Sequence, residues 1–215
     1  MSSLIGILSL LSALAATSYA LSCTHCFSSE ATCSGPSLTC PSDHQCGSAY
    51  IETTIAGVES TSLDRTCAPS SQCGLKGSVR LQQGHMRMST SCCNTDNCTP
   101  GPPTFPTTSS TPNGLVCRSC ISEDSTWCYT DDTVQCTGDQ NRCLLMTTYV
   151  SGSASASAAI RGCASKSICD IGSQSAIAGG VTTDVKFICT SGGLSVHNIV
   201  LAPAIACLLL LKLFF

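Results

Sequence analysis

Residues 23–46 read CTHCFSSEATCSGPSLTCPSDHQC, and residues 117–143 read CRSCISEDSTWCYTDDTVQCTGDQNRC. Both stretches open on a Cys-x-x-Cys pair and carry their cysteines in one order. From Cys23 to Cys92 the gaps between neighbouring cysteines hold 2, 6, 6, 5, 20, 5 and 18 residues. From Cys117 to Cys189 they hold 2, 7, 7, 6, 19, 5 and 19. Seven consecutive gaps agree within one residue, which marks an internal repeat with a period of about 95 residues.

The long gaps read as hairpins. Gly47–Thr66 alternates β-branched and polar residues around Ala56-Gly57. Gly74–Ser91 holds SVRL, then Gln83-Gly84, then HMRMST. The second block repeats the form with LLMTTYVSGSASASAAIRG and with a stretch centred on Gly179-Gly180 before VTTDVKFI. Alternation is weak over the Ser/Ala run 151–159, so strand register is poorly specified there. Hairpins rooted in clustered cysteines predict a flat, β-rich module with projecting loops.

Between the blocks lies TPGPPTFPTTSSTPNG, residues 99–114, five of them proline. That composition predicts an extended linker over 100–114, free of helix and strand and a candidate for O-glycosylation.

Composition explains why cysteines do the structural work. They number 19 in 215 residues, while charged residues make up 11% and aromatics 5%. Such a chain buries little apolar surface, and cross-links supply the missing stability. Net charge is −3 and no basic run occurs, which argues against a nucleic-acid partner.

Both ends read as targeting segments. Residues 1–20 combine an apolar run, Leu4 to Ala16, with Ser18-Tyr19-Ala20, a small-x-small cleavage pattern. A secretory leader places the cysteines in an oxidising compartment. At the other end, Ser191-Gly192-Gly193 precedes a short spacer and an apolar tail from Ile199 to Phe215. This layout predicts lipid attachment at Ser191 and removal of 192–215 as a glycosylphosphatidylinositol (GPI) signal. Only 13 apolar residues precede Lys212, too few for a spanning helix. Removing Cys207 with the tail leaves an even eighteen cysteines.

The first block closes on Cys92-Cys93-Asn94-Thr95-Asp96-Asn97-Cys98. This ending, with the ten-cysteine order before it, resembles the lymphocyte antigen-6/urokinase-receptor family of three-finger domains. The resemblance covers residues 21–190, and the two-domain layout is most similar to phospholipase A2 inhibitor gamma-like and urokinase-receptor-like proteins. It implies an all-β, disulfide-rich fold of two tandem three-finger domains, at 21–99 and 115–191. It also implies the pairs Cys23–Cys46, Cys26–Cys33, Cys40–Cys67, Cys73–Cys92 and Cys93–Cys98. For the second domain it implies Cys117–Cys143, Cys120–Cys128, Cys136–Cys163 and Cys169–Cys189. By counting alone, even eight cysteines allow 105 pairings. The chain departs from the family twice. Thr99 stands where the family has an asparagine that ties the base of the fold, and the second domain lacks the final Cys-Cys…Cys element.

Cys23-Thr24-His25-Cys26 could be read as a metal or redox motif. Its repeat equivalent, Cys117-Arg118-Ser119-Cys120, has no histidine, which favours a structural bridge. Neither a nucleophile elbow, nor a zincin motif, nor a phosphate loop occurs, so no catalytic, cofactor or metal residues are assigned. Asn97-Cys98-Thr99 matches the N-glycosylation pattern.

The reading that follows is a GPI-anchored protein on the outer face of the plasma membrane that binds an extracellular or cell-surface protein. The candidate contact residues are taken as exposed side chains of the second and third fingers: Tyr50, Glu52, Arg65, Arg80, His85 and Arg87, then Trp127, Tyr129 and Tyr149. Aromatic and arginine side chains dominate binding hot spots. The competing reading for Trp127 is packing across the sheet. The alternative function, implied by the resemblance, is a secreted inhibitor of phospholipase A2-type enzymes.

Overall fold

The computed structural model describes residues 20–153, 155–178 and 180–192. The expected leader, its apolar run and the apolar tail with Lys212 and Cys207 lie outside the described residues. The first repeat supplies β1 (Ser22–Thr24), β2 (Cys26–Ser28), β3 (Ser37–Thr39), β4 (His44–Ile55), β5 (Val58–Pro69), β6 (Lys76–Leu81) and β7 (Gly84–Cys93). The second supplies β8 (Pro112–Arg118), β9 (Cys120–Ser122), β10 (Thr133–Thr137), β11 (Arg142–Gly152), β12 (Ala156–Ala164), the short helix α1 (Lys166–Cys169), β13 (Ser173–Ala178) and β14 (Val181–Thr190). This is the all-β, disulfide-rich, tandem three-finger class. Each repeat contributes a short first finger and two longer hairpins.

The chain gathers into two compact units. Among the described residues, one holds 20–49, Ser62–Gly74 and Thr90–Pro102; the other holds Tyr50–Thr61, Leu75–Ser89 and 103–192.

In the first unit the buried cluster is built on sulfur, and Leu63 on β5 is buried as well. Cys23, Cys40 and Cys46 are buried, with Leu21, Cys67, Cys93 and Cys98 packed around them. Five disulfides belong to the first repeat: Cys23–Cys46, Cys26–Cys33, Cys40–Cys67, Cys73–Cys92 and Cys93–Cys98. The loop within the last bridge closes the base. Asp96 Oδ1 accepts the Ser22 amide at 2.9 Å, the Asn97 amide donates to Ser22 O at 2.7 Å, and Asn97 Oδ1 accepts Ser37 Oγ at 2.7 Å. Asp96 and Asn97 thus tie β1 and β3 to the end of the repeat, on the N-terminal side of Cys98. That engages the Asn97 side chain, although the residue remains exposed.

Asp64 lies opposite Phe27 in the β2–β5 pair. Burial pushes its carboxyl above the usual carboxylate range, and the nearby His25 charge works in the opposite direction. A carboxyl whose value is raised on folding favours the folded state when protonated. That contribution is full at acid pH and is lost as the pH rises through the raised value. Asp64→Asn is therefore expected to unfold at a higher temperature than the parent at neutral pH. The gap should close below the ordinary carboxylate value, and thermal melts of both proteins across pH 3–8 check it.

The second unit holds the larger apolar core. Val79, Leu81, Leu144, Ala164 and Ile168 are buried, with Met86, Met88, Met146, Ile160 and Phe187 packed against them. Four disulfides belong to the second repeat: Cys117–Cys143, Cys120–Cys128, Cys136–Cys163 and Cys169–Cys189. The strand path runs β13, β14, β11, β12, β6, β7, and β9 also pairs with β12. β12 therefore takes β9 along Ala159–Arg161 and β6 along Cys163–Ala164. The weakly patterned Ser/Ala run still has one register, with Val150 opposite Ala156 and Cys143 opposite Cys163.

Two sequence expectations need correction. The Gln83-Gly84 pair is not the turn of the third finger: β6 ends at Leu81 and β7 begins at Gly84, so Gln82 and Gln83 connect them. Gly84 is there for close approach, since a Cβ on it would lie 1.8 Å from Thr54 O. The linker is not free of strand either. β8 begins at Pro112, opposite Thr137, and a strand's first position tolerates a missing N–H. Upstream, Thr104 receives bonds from Lys76 Nζ and from Ser89 Oγ, so this part of the segment is bound to β6 and β7.

Candidate functional site

Alternation along β11 decides which side chains are spent on the core. Leu144 and Met146 point to the core with Ile160 and Phe187. Leu145 must point the other way. Its neighbours across the ladder are Arg161 on β12 and Ile188 on β14. The row Ile188–Leu145–Arg161 thus crosses three strands on the outer face.

Trp127 covers one end of this row. It sits in the loop between β9 and β10, which the Cys120–Cys128 bridge holds at its base. Its ring stacks on the Arg161 guanidinium, 4.2 Å from ring centroid to Cζ. The result is an open groove of about 390 Å³, walled by Val116, Arg118, Trp127, Leu145, Arg161 and Ile188. Trp127 is 56% exposed and Ile188 is 51% exposed, both high for such large apolar side chains. Tyr129 is 75% exposed beside them, with Arg118 over its ring at 5.2 Å.

The two arginines differ. Arg118 is paired with Asp131 at 3.0 Å. Arg161 makes no salt bridge among the described residues, and its Nε is buried without an acceptor. Apolar walls beside an unneutralised, partly desolvated guanidinium suit an apolar or aromatic side chain accompanied by a carboxylate or carbonyl oxygen.

The remaining candidates are placed as follows. Glu52 and Arg87 pair with each other, and Arg87 also lies over Phe105 at 5.4 Å. Arg65 donates to Cys33 O at 3.0 Å. These three are occupied in holding the fold. Arg80 and His85 are neighbours across β6–β7, with Arg80 exposed. Tyr50 is half-buried on β4, and Tyr149 is 48% exposed on β11. Trp127 and Tyr129 belong to the first finger of their repeat, not to the second or third. The gap between Cys120 and Cys128 shows this once β9 and β10 are located. Trp127 does pack on a neighbour, but over Arg161 and with half its surface open.

Leu145, Arg161 and Ile188 escaped the sequence reading. Their only signal is alternation, and which half of an alternating strand faces outward depends on what covers the other side. Two sulfur clusters, Cys23/Cys40/Cys67 and Cys117/Cys136/Cys163, have the closeness of metal ligands. All six sulfurs are held in disulfides, so none is a thiolate able to bind metal.

A family model for the u-PAR/Ly-6 domain matches residues 19–101 and again residues 113–197. The chain is 28% identical over 160 residues to phospholipase A2 inhibitor NAI of Notechis ater, covering 73% of this chain and 80% of that protein. It is 30% identical over 162 residues to the urokinase plasminogen activator surface receptor of Mus musculus, covering 69% of this chain and 46% of the receptor. Among solved structures, mouse TEX101 aligns with 78% of this chain and 95% of its own at 18% identity, with a TM-score of 0.31.

Proposed function

Because the chain belongs to the u-PAR/Ly-6 domain family, we propose that it is a lipid-anchored cell-surface protein that binds an extracellular protein partner through the outer face of its second three-finger domain. The observation that carries this reading is the Trp127–Arg161–Leu145–Ile188 groove. A chain with so few aromatics leaves its lone tryptophan half exposed over a cation that makes no salt bridge among the described residues. Loops locked by bridges lose little entropy on docking, so a small apolar face suffices for useful affinity. The anchor rests on the sequence of the C-terminal segment; Ser191, the proposed attachment residue, follows the last residue of β14, Thr190, and is exposed.

Two measurements test the reading. Phosphatidylinositol-specific phospholipase C should release the protein from intact expressing cells, and retention on the cells would remove the anchor. A partner captured by the intact protein should bind Trp127→Ala roughly 30-fold more weakly, the scale of a tryptophan hot spot. Unchanged affinity with all nine bridges intact would move the contact elsewhere.

A second reading has its own support, since several similar proteins are phospholipase A2 inhibitors. It predicts unaided secretion and direct binding to a secreted phospholipase A2. Binding by the released protein, lost in Trp127→Ala, would join the two readings.

A further inference from the structure

The third-finger hairpins of the two repeats match residue for residue. Lys76–Leu81 pairs with Gly84–Ser89, and Ser173–Ala178 pairs with Val181–Lys186. Lys76, Ser78 and Arg80 therefore correspond to Ser173, Ser175 and Ile177. In an antiparallel hairpin, alternate residues turn their N–H and C=O away from the partner strand. For β6 the outward set is visible from its bonds. Lys76 O accepts Ser167 Oγ at 2.6 Å, Ser78 N donates to Ser165 Oγ at 3.0 Å, Ser78 O accepts Ser165 N at 3.0 Å, and Arg80 lies opposite Cys163. The same parity makes Ser173, Ser175 and Ile177 the outward residues of β13. Among the described residues, β13 ends the strand path with β14 as its only neighbour. Among the described residues, the edge that β12 covers in the first repeat is open in the second.

Proteins blunt such edges with lysine, proline or a bulge. β13 reads SQSAIA, with no charge and no proline, and its register to β14 is unbroken. A head-to-tail match, with β5 of another copy in the role of β12, lacks the needed groups. Counting from the aligned cysteines, Ser165 corresponds to Pro69, which has no N–H, and Ile168 corresponds to Gln72. Gly77, against which Ile168 packs, corresponds to Gln174.

A two-fold match has no such defect. With the axis at Ser175, Ser175 faces Ser175 of the second copy, and Ser173 faces Ile177. Three facing pairs of outward residues can each exchange both backbone bonds. Asp184, beside Ser175 on β14, would lie three strand spacings from its counterpart, roughly 14 Å, where salt screens repulsion.

We propose that β13 is a self-pairing edge, joining two copies of this chain antiparallel about Ser175. The inference is independent of the anchor and of the Trp127 groove.

The test uses the mature protein released from cells, studied by sedimentation over a concentration series up to about 200 µM, because so small an interface is of the weak, transient kind. The parent should shift reversibly from monomer to dimer. Ser175→Pro removes an N–H that faces outward and costs no bond to β14. It should weaken dimerisation roughly tenfold to hundredfold, two bonds per dimer being lost, with circular dichroism unchanged. Ser175→Cys should yield a disulfide-linked dimer on mild oxidation, since facing Cα atoms lie about 5.5 Å apart in such a pair, within bridging range. A parent monomeric throughout the series, or a Ser175→Pro variant dimerising as tightly as the parent, would overturn the proposal. So would a monomeric parent that loses a foreign partner on Ser175→Pro, which would give the edge to another protein's strand.

Discussion

Replacing Cys136 and Cys163 together by alanine is expected to lower the stability of the protein by roughly 3–4 kcal/mol, the entropy of a loop of this length. The bridge spans 27 residues, and both cysteines are 0% exposed, packed with Cys117 and Val134. Two effects act together. The unfolded chain gains freedom when a long loop opens, and the folded state loses buried contacts around the missing sulfurs. The bridge also ties β10 to β12, the strand that carries Arg161. A short bridge makes the control. Cys93–Cys98 spans only 5 residues, and its removal should cost roughly 2 kcal/mol on the same entropic scale. Against a typical total of about 5–15 kcal/mol, the first loss is large. Urea unfolding of the secreted variants measures both. A double-alanine variant at 136 and 163 with the parent's midpoint would show that this core does not depend on its sulfur.

Ile168→Ala is expected to cost about 2–5 kcal/mol, the range for truncating a buried isoleucine. Ile168 is 0% exposed on α1 and fills the centre of the cluster formed by Val79, Leu81, Leu144 and Ala164. The site cannot collapse easily. On one side is Gly77, where even a Cβ would sit 2.6 Å from Ile168 Cδ1. On the other, β6 and β12 are held by backbone pairing and by the Ser78–Ser165 bonds. Hydrogen exchange gives a readout beyond global stability: the amides of Ser78 and Ser165 should lose protection in the variant ahead of those in the β11–β14 ladder. By contrast, Ile188→Ala removes a similar side chain from the exposed outer face, and a change within about 0.5 kcal/mol is expected. Equal losses at 168 and 188 would contradict the assignment of the two faces.

The contrast between these two isoleucines shows where reading the sequence stops. Ile168 follows a serine-rich bend and carries no pattern; Ile188 sits in an alternating strand like any core residue. Trp127 was singled out by its chemistry, yet its finger and its cation were not, because Arg161 reaches it from a strand more than thirty residues away in sequence. Gly84 looked like a turn residue because a glycine's freedom and its smallness leave the same letter in the chain.

What the amino-acid order determined by itself is the doubled β module. Equal cysteine spacing, turn residues and a shortage of apolar side chains are local and additive, and they point one way. Only the tertiary structure decided which strand edges meet, which half of each alternation is buried, and therefore where the groove and the open edge lie. Strand pairing joins backbone groups far apart along the chain, and backbone hydrogen bonds are the same for every residue except proline. The partner of an edge is chosen by what packs around it.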